Sequence, residues 1–182
     1  MTTHEQAKNK KCSQHFYFAD LIDCGRTVRN LNVDNSPLQS SSYLALEDLA
    51  INILDPIKEQ FKLVKLTYGF ASHNLVKLIP RAIAPKIDQH SSFELNSKGN
   101  LICDRGGAAV DLFVPGLDSL KLADWISANI PFDRLYYYGS EKSIHVSYTN
   151  AGKRLKYLMA SNDRTGRLMP RKVRNFSEEA PK

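Results

Sequence analysis

Two histidines and an aspartate supply the donor set for a divalent cation: His90 in Asp88-Gln89-His90, Asp111 in Gly107-Ala108-Ala109-Val110-Asp111, and His145 in Ile144-His145-Val146-Ser147. Two neutral imidazoles and one carboxylate match the ligands of a zinc ion and leave a fourth position for water, as in a catalytic rather than a closed structural site. Each residue also has an ordinary reading: an aspartate in a strand can satisfy a backbone N–H or a lysine, and a histidine in a hairpin is commonly packed or solvated. Of the other histidines, His73 follows a turn and can line a cleft, while His4 and His15 are peripheral. The sequence has no Gly-x-Ser-x-Gly elbow, P-loop, dinucleotide fingerprint or His-Glu-x-x-His helix, which argues against serine hydrolases, nucleotide-phosphate enzymes and the common zincins.

The elements that must position these residues follow from hydrophobic spacing. Leu46, Leu49/Ala50, Ile53/Leu54, Ile57 and Phe61 recur every three or four residues and predict a helix over 43–61, capped by Ser40–Ser42 and kinked at Pro56. Leu63–Tyr68 reads as a strand closing at Gly69, followed by a short helix near 72–80, then Pro85 and a polar loop from Ser91 to Asn100. Ala108–Val114 is an apolar run broken only by Asp111, the pattern of a central strand, and Gly106-Gly107 before it reads as close packing. Asp118 caps a helix to about Asn129 that Pro131 stops. Leu135–Tyr138 and Ser143–Tyr148 form a hairpin around Gly139–Lys142, with His145 on its polar face. Tyr136, Tyr137 and Tyr138 alternate faces, so at least one is core and the others can stack on a sugar, base or peptide. A last strand covers Leu155–Met159. Helices early and strands late predict an α+β fold, with N-terminal helices packed on a central antiparallel sheet.

The chain of 182 residues is 42% hydrophobic and 24% charged, which fits a single folded domain and excludes disordered, collagen-like and coiled-coil classes. No apolar run is long enough for a membrane span, and no secretory leader is legible at the N-terminus. Cys12, Cys24 and Cys103 are odd in number and widely spaced, which predicts reduced thiols in a cytoplasmic setting and no cysteine-only zinc site. Residues 1–150 balance 16 cations with 16 anions, and residues 151–182 carry nine against three, so the whole net charge of +6 lies there. The expected organisation is a flexible 1–14, a domain over 15–160 and a basic tail over 161–182. Such a tail can contact nucleic acid or an anionic envelope, or simply keep the chain soluble.

Gly107-x-Ala109-x-Asp111 and Ile144-His145-Val146-Ser147 resemble the two signatures of the D-Ala-D-Ala metallopeptidases, zinc carboxypeptidases and endopeptidases that share the Hedgehog/DD-peptidase fold. The likeness spans most of the chain. Phe18-Ala19-Asp20-Leu21, Asn35-Ser36-Pro37, Ile53-Leu54-Asp55-Pro56-Ile57, Thr67-Tyr68-Gly69-Phe70-Ala71-Ser72 and Phe132-Asp133-Arg134-Leu135 stand in the order seen in phage and bacterial members. The resemblance implies zinc as cofactor, ligated by His90, Asp111 and His145, and a peptide or peptidoglycan-like substrate.

The departures from the family pattern bear on the reaction. Its Ser-x-His-x-x-Gly-x-Ala-x-Asp motif would place the first histidine at Asp104. Either Asp104 is a ligand, giving a site with more appetite for manganese or iron, or His90 is the ligand and about 14 residues are inserted; His90 is preferred as the imidazole. Ala71 replaces the family's oxyanion-stabilising arginine, for which Arg105 or Arg134 could substitute. Tyr138 aligns with the family's carboxylate general base and cannot act as one; Glu94 and Glu141 are the nearby carboxylates. A noncatalytic metal-binding module of the same fold, binding nucleic acid or protein through its basic tail, is therefore the alternative. A metal centre acting on a modified nucleotide or small amide is a third.

Overall fold

The apolar spacing after Ser40 buries one face of a long helix against a sheet. In the computed structural model, which describes residues 7–31, 33–79, 84, 86–161 and 167–180, two short helices, α1 (Phe18–Ile22) and α2 (Arg26–Leu31), precede α3 (Ser40–Leu49). Helix α3 continues through a widened π turn (Ala50–Leu54) into α4 (Asp55–Phe61). Pro56 has no N–H to donate, and the chain absorbs that loss by widening one turn ahead of it, so the expected kink becomes a π turn. Leu46, Leu49, Ile53, Leu54 and Ile57 are fully buried, each contributing about 1.5–3 kcal/mol of transfer free energy.

Strands β1 (Lys65–Tyr68), β2 (Ala108–Phe113), β3 (Arg134–Tyr137), β4 (Ile144–Tyr148), β5 (Leu155–Ser161) and β6 (Leu168–Val173) form one sheet in the order β1-β2-β4-β3-β5-β6. Helix α5 (His73–Leu78) follows β1, α6 (Ser119–Asn129) links β2 to β3, and α7 (Phe176–Glu179) follows β6. Helix α3 packs on β2 and β4, burying Val110, Leu112, Ile144 and Val146, while α6 packs on β3 and α7. The fold is α+β, and its sheet is mixed rather than purely antiparallel. Strand β5 reverses direction after β4 but docks on the far side of β3, so β3 and β5 run parallel while the other neighbours are antiparallel.

Both ends of the chain depart from the expected loose segments. Residues 1–6 lie outside the described residues, but Cys12 is buried, and Ser13 Oγ and the N–H groups of Gln14 and His15 donate to the Asp55 carboxylate. Beyond Ser161, β6 pairs with β5 from Ser161–Leu168 to Lys156–Val173, and Val173 and Phe176 enter the core. Much of the basic C-terminal region is thus an edge strand and a docked helix. Arg171 bonds Glu179, and Arg154 lies over Phe132 while donating to the carbonyls of Ser127 and Ile130. The expected Pro85 break falls outside the described residues. Among the described residues, no helix is long and apolar enough to cross a membrane.

Candidate metal centre

Strand alternation and register create one row of side chains across the whole sheet. Tyr68 pairs with Asp111, Asp111 with His145, His145 with Tyr136, Tyr136 with Tyr157 and Tyr157 with Lys172, so all six share the face opposite the α3 core. Asp111 and His145 reach the site from β2 and β4 by this pairing alone. His145 shares its face with Ser143 and Ser147 as the alternation predicts, yet it is buried rather than solvated, because His90 and Tyr136 pack against it.

His90 arrives from outside the sheet on a tight turn whose flanking residues, Gln89 (φ 65°) and Ser92 (φ 48°), both adopt left-handed backbone. Side-chain bonds clip the turn to the start of β2: Gln89 Nε2 donates to the Gly106 carbonyl at 2.9 Å and Ser92 Oγ to the Gly107 carbonyl at 2.7 Å. The Ala71 N–H donates to the His90 carbonyl at 3.0 Å. Gly107 cannot be replaced here: its φ is 73°, and a Cβ would lie 2.1 Å from the Tyr148 carbonyl oxygen.

The ligand atoms of His90, Asp111 and His145 all lie within 4.8 Å of one another. Oδ1 of Asp111 is 3.3 Å from His90 Nε2 and 2.9 Å from His145 Nδ1, and the imidazole rings meet edge-on with centroids 4.9 Å apart. His90 Nδ1 lies 2.7 Å from the Gly69 carbonyl, an obligate acceptor, so the proton of a neutral ring sits on Nδ1 and Nε2 turns its lone pair toward the Asp111 oxygen. Two lone pairs at that distance need a positive charge between them, either a proton or a metal ion. His145 Nε2 is buried without a hydrogen-bond partner. A nitrogen–oxygen–nitrogen set with a carbonyl fixing one tautomer could hold a metal ion.

Burial pushes the His90 pKa down, but the Asp111 carboxylate, helped by Asp88 and the Gly69 carbonyl, outweighs it and holds the imidazole above its ordinary value. Burial likewise pushes the Asp111 carboxyl up, and His90 and His145 together hold it well below the usual carboxylate range. Burial keeps the phenols of Tyr68, Tyr136 and Tyr138 protonated well past neutrality.

The remaining candidates are dispersed. Asp104 is exposed, lies outside the three-residue group and lines a groove of about 520 Å³ with Ser41, Leu44, Phe93 and Tyr148, so the group is built with His90 in the first position. Glu94 is buried, and one oxygen, Oε1, accepts from the N–H groups of Leu38 and Gln39 and from Ser42 Oγ. It holds the start of α3, the work expected of Ser40–Ser42, and lies outside the His90–Asp111–His145 group. Glu141 is exposed in the β3–β4 turn. Tyr138, 38% exposed, stands near Asp111 and Tyr136 just past the end of β3. Arg105 donates to the Ile87 carbonyl and stands against the Tyr136 phenol, and Arg134 is buried at the start of β3. Cys12 and Cys24 are free thiols pushed up to about 12 by burial, which keeps them protonated.

The sequence reading missed three contributors. The Gly69 carbonyl is invisible to any side-chain motif. Tyr68 packs edge-on against His90 with centroids 4.5 Å apart, and Tyr157 stacks on Tyr136 at 4.7 Å and 15°. The only prior signal for the tyrosines was their place in β-prone runs, whose register required the strand order. Comparison with known proteins adds no family: no family model matches the chain, no curated protein matches it, and no solved structure matches it.

Proposed function

We propose that this chain is a zinc-dependent hydrolase resembling the D-Ala-D-Ala metallopeptidases, acting on a peptide bond of the kind found in bacterial wall peptides. The observation that carries the reading is the meeting of His90 and Asp111 with lone pairs opposed, His145 against the same carboxylate oxygen. In that role His90, Asp111 and His145 would hold the ion. Bound zinc supplies a water of near-neutral pKa and polarises a carbonyl. The protein's own part is to fix and exclude. The Gly69 carbonyl sets the His90 ring, the Gln89 and Ser92 clips hold its turn, and Tyr68 and Tyr136 shield the two imidazoles edge-on. Tyr138, kept neutral by burial, acts as a hydrogen-bond donor toward substrate oxygen rather than as a base. Without the family's arginine and carboxylate, the rate falls short of an ordinary peptidase by about 10²–10⁴-fold per missing group.

Elemental analysis of the native protein, with His90→Ala and Asp104→Ala compared, tests the site: one zinc per chain is expected, lost in the first variant and kept in the second. Zinc-loaded protein incubated with peptidoglycan or peptides ending in D-Ala-D-Ala then tests the reaction against His145→Ala. No cleavage above that control removes the hydrolase.

A second reading is a noncatalytic metal-binding module, favoured by Tyr138 in the base position and by the commitment of Glu94 to α3. Its basic edge strand would then contact nucleic acid or a protein partner. Nucleic-acid affinity that drops log-linearly with salt, without peptide cleavage, is its signature.

A further inference from the structure

We propose that Arg134, together with Arg105 and Tyr136, forms an anion-binding subsite beside the His90–Asp111–His145 group, shaped for a carboxylate or phosphoryl oxygen. This deepens the hydrolase reading, on which its role in substrate choice rests, by giving the substrate a negative charge near the bond acted on.

Arg134 lies two residues before Tyr136 on β3, so the two side chains leave the same face of the sheet, and Tyr136 pairs directly with His145. Only 8% of Arg134 is exposed, yet Nε and Nη1 of its guanidinium have no hydrogen-bond partner. The nearest acid is Asp133, whose Oδ2 stands 3.7 Å from Nε, beyond hydrogen-bond reach, while its Oδ1 accepts from the Lys153 N–H at 3.0 Å. The backbone N–H of Arg134 donates to Ser147 Oγ at 3.2 Å, so strand pairing there is made without the guanidinium.

A guanidinium cannot shed its proton, so burial cannot be relieved by neutralisation as it could for lysine or histidine. Asp133 supplies counter-charge at 3.7 Å but no hydrogen bond; leaving charged N–H donors unmet is costly, and an oxyanion is the partner that meets them. A second cation stands close by: Arg105 is against the Tyr136 phenol and anchored on the Ile87 carbonyl. The Tyr136 hydroxyl is a neutral donor that both arginines influence. Arg134 and Tyr136 on the face that carries the metal-binding group, with Arg105 close to the phenol, would select an anionic substrate over a neutral one.

The experiment follows the Arg134 Nε–H resonance in the full chain, zinc-loaded and metal-free, during titration with acetate, inorganic phosphate or acetamide. The expected result is a saturating shift with acetate or phosphate, none with acetamide, and persistence in metal-free protein. The tighter anion identifies the group as carboxylate or phosphoryl. Followed at the Tyr136 backbone amide in the variants, binding should weaken about tenfold or more in Arg134→Gln and be retained in part in Arg134→Lys. Absence of a shift overturns the subsite, as does equal binding by Arg134→Gln, which would mean that the anion sits on zinc alone. If Arg134→Gln fails to fold, the wild-type resonance still decides. Anion binding without peptide cleavage would remove the hydrolase and leave the subsite standing.

Discussion

Nε2 of His90 faces Oδ1 of Asp111 across 3.3 Å with its lone pair, because Nδ1 of the same ring is committed to the Gly69 carbonyl at 2.7 Å. Without metal, a proton must bridge the pair, and this fixes the sign of its pH dependence. His90 is raised above 6.5, so its contribution is fully present below that value and is lost as pH rises through the folded-state pKa. Asp111 is depressed, so its contribution is present above the ordinary carboxylate value and is lost only as pH falls through its own lower one. The metal-free chain should therefore melt higher near pH 5.5 than near pH 8.5 as far as this pair is concerned. A zinc ion held by the proposed group would compete with that proton, so loading should raise Tm most at the alkaline end. Thermal melts at both pH values, with and without zinc, check this. A zinc increment larger at pH 5.5 would contradict the bridging proton.

Glu94 gives a prediction about what it does not do. Oε1 gathers the Leu38 and Gln39 N–H groups and the Ser42 hydroxyl where the chain turns into α3, so Glu94→Ala strands buried donors. A loss of about 2–4 kcal/mol in urea unfolding is expected, since hydrogen bonds to a charged group are worth about 1.5–3 kcal/mol each and are not additive. Zinc stoichiometry should stay unchanged. Lost zinc with unaltered stability would return Glu94 to the site.

The parts of this fold that the sequence exposes are those set by local period. Leu46 through Ile57 mark α3 and α4 because helical spacing needs no knowledge of the partner surface, and Asp118 caps α6 through the Leu120 N–H as its position implies. Asp111 stands out because one carboxylate interrupts an apolar strand. What stays hidden depends on contacts between distant segments. Glu94 reaches back 52 residues to Ser42, so no local pattern could have preferred it to the three serines. The residues after 161 look like a tail because six of them are lysine or arginine, whereas strand pairing with β5 and the burial of Val173 and Phe176 decide the structure. The turn that carries His90 is held against the start of β2 by the Gln89 and Ser92 clips, which are side-chain to backbone bonds with no sequence signature.

The C-terminal region provides a stability test. Phe176 is fully buried beside Tyr137, so Phe176→Ala should cost about 3–5 kcal/mol, as a large side chain removed from a packed core does. A free tail would lose nothing measurable. Denaturant unfolding distinguishes the two, and the same reasoning means that removal of residues 161–182 deletes β6 along with its charge. The nucleic-acid reading is better probed with Lys172→Gln, on the exposed edge strand, than by truncation.

Tyr138 offers the sharpest chemical prediction. The resemblance places a carboxylate base at this position, and the phenol here is held protonated by burial and by the Asp111 charge nearby. A protonated phenol can donate a hydrogen bond but cannot take a proton from water at neutral pH. Tyr138→Glu puts a carboxylate, the type of group that can take a proton from water, where the resemblance has one. If zinc is held by His90, Asp111 and His145 and only the base is missing, hydrolysis of a D-Ala-D-Ala peptide should rise by about 10²-fold or more over wild type. The rise should vanish in Tyr138→Gln, which matches the size of the new side chain without its charge. A zinc-loaded Tyr138→Glu protein no faster than wild type would mean that proton transfer is not the missing step, and would move the weight of evidence to the noncatalytic metal-binding module.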